Sequence, residues 1–92
     1  MEKIYIVVEE KNWHNSEEYT EIISVHRTQE EAEKALKEYK EYFEECHADD
    51  LDNLRTNHPD SIDEHNDPTH YSFLDEGMGD YYEVIIKERD LD

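Results

Sequence analysis

One stretch, Thr28 to His47, constrains what this chain can fold into more than any other. Ala32, Ala35, Leu36, Tyr39, Phe43 and Cys46 recur there at helical spacing and form a single apolar stripe. Thr28 followed three residues later by Glu31 is a capping box, which marks the helix start. A helix with one apolar stripe must bury it on another element, and the runs around it are β-like. In Lys3 to Glu9, Ile4, Ile6 and Val8 alternate with Tyr5 and Val7, so both faces are apolar and an interior strand is expected. Tyr19 to His26 is rich in β-formers, and Tyr81 to Glu88 alternates Tyr82, Val84 and Ile86 with Tyr81, Glu83, Ile85 and Lys87. This order predicts an α+β fold, β-β-α-(loop)-β. The sheet is antiparallel, three- to four-stranded, in the order second, first, last, with one main helix packed on one face. Tyr5, Tyr19 and Tyr81 are expected on the other, partly open face.

Ninety-two residues predict a single domain, 1–92. With 35% hydrophobic and 39% charged residues and a formal net charge of −18, the composition leans toward disorder, but the apolar residues gather into a few periodic runs. The expectation is a modest core carrying solvated acidic segments. Segment 48–80 is expected to be an acidic, histidine-containing insertion that is partly disordered. Glu44 to Asp80 holds twelve carboxylates, four histidines and one basic residue, Arg55, punctuated by Pro59, Pro68, Gly77 and Gly79. Within it, Asp49 to Arg55 suits a helical turn that brings Leu51 and Leu54 to the core, and Tyr71 to Leu74 suits a short strand or a docked loop.

The charge speaks about partners. Nucleic acid and anionic membranes are polyanions and are disfavoured as direct partners, whereas basic nucleic-acid-binding proteins or divalent cations are favoured. The lone Cys46 rules out an intrachain disulfide and suits a reducing compartment. Met1-Glu2-Lys3 leads straight into a short apolar run, so neither a leader peptide nor a membrane span is expected, and a cytoplasmic location follows.

Several residues invite a functional reading beside a plainer one. Along the early helix Glu30–Lys34 and Glu33–Lys37 balance each other, but Glu41, Glu44 and Glu45 crowd the end where the helix dipole is already negative. With Glu38, Asp49, Asp50 and Asp52 they would form a row of carboxylates able to address a phosphate-gripping protein; the plainer reading is a solvated acidic surface. Trp13 is either an exposed interface anchor or a lid on the core, and Tyr42 would add apolar contact. His58, Asp60, His65, Asp67 and His70 are candidate metal ligands, although their spacing fits no established site and a polar loop explains them as well. Cys46 reads as a small core residue, badly placed to act with His47 as a nucleophile. No catalytic motif, glycine-rich phosphate cradle or cofactor signature is present, so a non-enzymatic protein without a cofactor is expected.

Three segments carry a resemblance: Ile4 to Val8, Ile23 to Leu36 with its Thr28-Gln29-Glu30-Glu31-Ala32 helix start, and Tyr82 to Ile86. Together they resemble a class of small acidic phage and bacterial proteins. Size, acidity and layout are also similar in type to phage anti-CRISPR and anti-restriction DNA mimics. The resemblance implies an inhibitor from a phage or mobile element that occupies the basic groove of a nuclease or CRISPR effector, in the host cytoplasm. The alternatives are a divalent-metal-binding module using the histidine/aspartate segment, and a structural or interaction protein such as a homodimer.

Overall fold

The computed structural model describes residues 2–12, 19–77 and 79–91, the side chains of Tyr19 and Leu91 aside. The chain runs β1 (Glu2–Asn12), β2 (Tyr19–His26), α1 (Gln29–Cys46), α2 (Ala48–Asn57), a 3₁₀ turn (Pro59–Ser61), β3 (Ile62–Asp67), β4 (His70–Asp75) and β5 (Asp80–Leu91). All neighbouring strands are antiparallel, in the order β2-β1-β5-β4-β3. The α+β class and the β2-β1-last order match the expectation. Among the described residues the sheet has five strands instead of three or four, and there are two helices instead of one main helix.

The additional elements come from segment 48–80, whose described residues form α2, the 3₁₀ turn, β3 and β4 in place of a partly disordered insertion. Two apolar anchors per hairpin suffice. Tyr71 and Phe73 are fully buried on β4, and β3 adds an edge strand whose residues beyond Ile62 are exposed. Leu51 of α2 is buried and Leu54 packs beside it, as their spacing predicts.

Alternation sorts the side chains. Val7 of β1 sits opposite Ile86, Lys11 opposite Tyr82, Tyr71 opposite Val84, and Phe73 opposite Tyr82. These residues share the face on which the helices lie. Ile4, Ile6 and Val8 point the other way. Tyr5 therefore belongs to the helix side, where it packs against the core, which corrects the expectation for it. Tyr81 does fall on the open face, and the side chain of Tyr19 lies outside the described residues. A bulge between Val7 and Val8 leaves Ile23 as the extra residue of β2, free to pack on the core while Ile22 and Val25 remain on the open face.

Thr28 caps α1 as its capping box predicts, its Oγ1 accepting from Glu31 N at 3.2 Å. Ala32, Ala35, Leu36 and Phe43 are buried against the sheet. Cys46 is exposed, contrary to the expectation of a core residue. At this last turn the core contact is made by His47, whose ring lies 5.1 Å from that of Phe43 while its N–H donates to Phe43 O.

The centre of the core is aromatic. Phe43 stacks on Tyr82 with centroids 3.9 Å apart and planes 4° from parallel, and Tyr71 lies edge-tilted to both rings. Truncation of Phe43 to alanine should lower unfolding free energy by roughly 3–5 kcal/mol. Tyr82→Phe should cost about 1 kcal/mol through the bond its hydroxyl makes to Glu9. Urea unfolding midpoints check both, and near-equal losses for the two variants would contradict this core.

Candidate functional site

Buried tyrosines need partners for their hydroxyls, and here carboxylates supply them. Tyr82 Oη donates to Glu9 Oε2 at 2.6 Å, and Tyr71 Oη donates to Glu64 Oε2 at 2.9 Å. Cations close the rings from the side: Lys11 Nζ is 5.9 Å from the Phe43 centroid, Lys40 Nζ 5.1 Å from Tyr71, and Arg55 Cζ 5.5 Å from Phe73. Each cation is also held by a polar neighbour. Lys11 donates to His47 Nε2 at 3.0 Å, Lys40 to Asn66 Oδ1 at 2.9 Å, and Arg55 to Glu64 at 2.6 Å, with Glu44 a further 3.7 Å contact of Arg55. Burial weakens the hold of Arg55 on its proton, but the hydrogen bond and charge of Glu64 outweigh it and raise its pKa.

This use of cations decides what the acidic residues do. Between Glu38 and Asp52 the single cation is Lys40, and it is turned down onto Tyr71 and Asn66. Glu38, Glu41 and Glu45 fall at i, i+3 and i+7, on one exposed ridge of α1. Tyr42, 68% exposed, stands beside that ridge, and the neighbouring Cys46 side chain raises its pKa. The last turn of α1 has no basic residue to offset the dipole.

Asp49, Asp50 and Asp52 are exposed on α2. The first two sit in its first turn, where the helix dipole favours a carboxylate and gives them a structural role. Glu44 is half-buried and turned toward Arg55. Of the seven predicted acidic residues, the structure thus brings Glu38, Glu41 and Glu45 together as an outward row on α1, places Asp49, Asp50 and Asp52 on α2, and turns Glu44 toward Arg55. Trp13 lies outside the described residues.

The metal candidates divide into two places. His65, Asp67 and His70 come together on the open face of β3 and β4, with the two histidine rings 4.9 Å apart. His70 Nε2 donates to Glu83 Oε2 at 2.6 Å, and Asp67 accepts from both N and Oγ1 of Thr69, backbone bond first, which holds its carboxyl below the usual range. His58 lines a different cleft, and Asp60 lies beside it in the 3₁₀ turn. Among the described residues no group of three or more His, Cys, Asp or Glu could hold a metal ion.

Sequence reasoning passed over Asp75 and Asp80, which are 2% and 4% exposed and directly opposed across the β4–β5 hairpin. They line a cleft of about 380 Å³ with Asp50, His58 and Ser61. Asp75 Oδ1 accepts from Gly77 N at 3.1 Å, and Asp75 O accepts from Gly79 N at 2.7 Å, where Gly79 takes a φ of 76°. Asp75 therefore has an evident structural use in closing the turn. The signal available in the sequence was Asp75-Glu76-Gly77, an acid two residues before a glycine.

No helix among the described residues is long and apolar enough to cross a membrane. Comparison with protein-family models, with curated proteins and with solved structures finds no match.

Burial, then the bond to Glu64 and its charge, raises the pKa of Tyr71. Burial, then the charge and hydrogen bond of Glu83, does the same for Tyr81. Both hold their protons more tightly when folded. Their contribution is complete below the unfolded value of about 10 and is lost as pH rises above it, because the unfolded chain then gains from ionising first. Stability should fall above about pH 10, and Tyr71→Phe should flatten that fall. Unfolding midpoints between neutral and strongly alkaline pH check this; an identical slope in the variant would contradict it.

Proposed function

We propose that the chain is a non-enzymatic inhibitor, of phage or mobile-element origin, that occupies the nucleic-acid groove of a basic host protein such as a nuclease or CRISPR effector by presenting carboxylates in place of phosphates. The observation that carries this reading is the row Glu38, Glu41 and Glu45, exposed on α1 while the one cation in the interval, Lys40, is committed to Tyr71 and Asn66. At a rise of about 1.5 Å per residue these carboxylates recur roughly every 5 Å along the helix axis. Phosphates recur about every 3.4 Å along each strand of a duplex, a spacing of the same order. Tyr42 at the side of the row offers an aromatic surface to a partner whose basic groove also stacks bases. The same charge makes direct binding to nucleic acid or an anionic membrane unfavourable.

The metal-binding alternative receives no comparable support. The candidate ligands are split between the open face and the α2 cleft, and the Asp67 carboxylate is held by Thr69.

Immobilised protein should retain host nucleic-acid-binding proteins that duplex DNA displaces, with retention falling steeply between about 50 and 200 mM salt. Replacing Glu38, Glu41 and Glu45 together by glutamine should weaken retention at least about tenfold, since each carboxylate removed deletes a charge contact. Bound targets that still take up duplex DNA normally, or a triple variant that binds as well as the parent, would overturn the proposal.

A further inference from the structure

The helices cover one face of the sheet, and among the described residues no element covers the other. On that face Ile4, Ile6 and Val8 of β1 lie beside Ile85 of β5 and beside Ile22 and Val25 of β2. Its apolar exposure is greatest on β2, where Ile22 is 63% and Val25 55% exposed; Ile4, Ile6 and Ile85 are half-buried, and Val8 is buried between its neighbours. Along β5 the charges of this face are ordered in the strand direction, while Glu2 lies beyond Ile4 on β1 and Asp63 and Asp67 lie on the β3 edge. Glu10 and Glu83 are directly paired at one end, Val8 and Ile85 in the middle, and Lys87 and Arg89 follow at the other end beside Ile6 and Ile4.

We infer that this open face is a dimer interface, occupied by the same face of a second copy of the chain. The charge order is self-complementary under one two-fold axis: lying in the interface, perpendicular to the strands, at the level of Val8 and Ile85. That rotation reverses the strand direction. It sets Ile85 against the partner's Ile85, Glu83 against the partner's Lys87, and Tyr81 against the partner's Arg89; Asp67 comes opposite the partner's Asp67, but at the outer β3 edge, two strands from β5. A two-fold axis along the strands would instead oppose Lys87 to Lys87 and Glu83 to Glu83, so charge selects the first arrangement. Two sheets packed face to face stand about 10 Å apart, within reach of a Glu–Lys pair. The acidic ridges of α1 then lie on the two outermost surfaces. Both helix layers and both sheets separate them, several times the screening length of about 8 Å at physiological salt. The charge of these ridges therefore does not oppose this mode of association, and the interface leaves the row Glu38, Glu41 and Glu45 uncovered. The inference does not depend on the proposed inhibitory role.

Sedimentation equilibrium of the full chain at physiological salt tests it. The parent should be a dimer, and Ile22→Ser and Lys87→Glu should each raise the dissociation constant about tenfold. Combining Lys87→Glu with Glu83→Lys should restore most of the loss, because the pair is exchanged rather than removed. Lys34→Glu, on the helix layer, changes net charge by the same amount as Lys87→Glu and should leave association unchanged. Should the exchanged variant fail to fold without the His70–Glu83 bond, Lys87→Gln replaces it and should weaken association less than Lys87→Glu, because it removes the pair without adding a repulsion. A parent that is monomeric up to about 100 μM, a dimer indifferent to Ile22→Ser and Lys87→Glu, or an equal effect of Lys34→Glu would overturn the inference.

Discussion

The fold depends on a set of aromatic rings held between carboxylates and cations. Phe43, Tyr71, Phe73 and Tyr82 fill the space between α1, α2 and the sheet, where a larger domain would use aliphatic residues. Tyrosine can fill it only if its hydroxyl is satisfied, and Glu9 and Glu64 do this from β1 and β3. Those carboxylates in turn sit close to cations: Arg55 pairs with Glu64, while Lys11 lies two residues beyond Glu9 on the same strand face and covers Phe43. Individually such contacts are worth about 0.5–1.5 kcal/mol. Together they join β1, β3, β4, β5 and both helices through one polar-rimmed core.

The surface follows from that arrangement. The chain has nine basic residues against twenty-seven acidic ones. Lys11, Lys40 and Arg55 are drawn to the core aromatics, and Lys3 pairs with Glu88 at the end of the sheet. Lys34, Lys37 and Lys40 line the cleft between α1 and the β3–β4 turn, with Asn66 and Asp67 across from them. Negative charge is thereby left along the outer ridge of α1 and on α2, and among the described residues Lys87 and Arg89 are the lysine and arginine of the open sheet face. The two faces thus have different characters: an acidic helix layer suited to a basic partner, and an apolar sheet face with charges graded along its strands.

Local signals made part of this legible in the sequence. The Thr28 cap, the α1 stripe, the span of β2 and the β2-β1-β5 neighbourhood all follow from spacing within single segments. What was not legible depended on residues far apart. In β3, Ile62 is the only aliphatic residue in Ile-Asp-Glu-His-Asn-Asp, so the strand has no periodicity of its own; its pairing is imposed by β4 and by Tyr71 reaching Glu64. Tyr5 was placed on the wrong face because both faces of β1 are apolar, and the choice is made by its register with β5, more than seventy residues on. The Tyr82–Glu9 bond spans 73 positions and leaves no local trace. Cys46 fits the stripe by spacing, but the helix ends there and His47 takes the contact. For the candidate site, the clustering of acids was visible in composition, whereas the turning of Lys40 onto Tyr71 and Asn66, away from Glu38, Glu41 and Glu45, was not.

The central claim is that the ridge of α1 carries charge the fold itself does not need. The most direct test is the stability of the variant with Glu38, Glu41 and Glu45 all replaced by glutamine, measured by urea unfolding at low and at high ionic strength. Relief of like-charge repulsion and of the unfavourable dipole contact should make this variant more stable than the parent by about 1 kcal/mol at low salt. The gain should shrink toward zero near 1 M salt, where screening acts over about 3 Å. A variant less stable than the parent, or a gain indifferent to salt, would mean that these carboxylates serve the fold and would contradict the account.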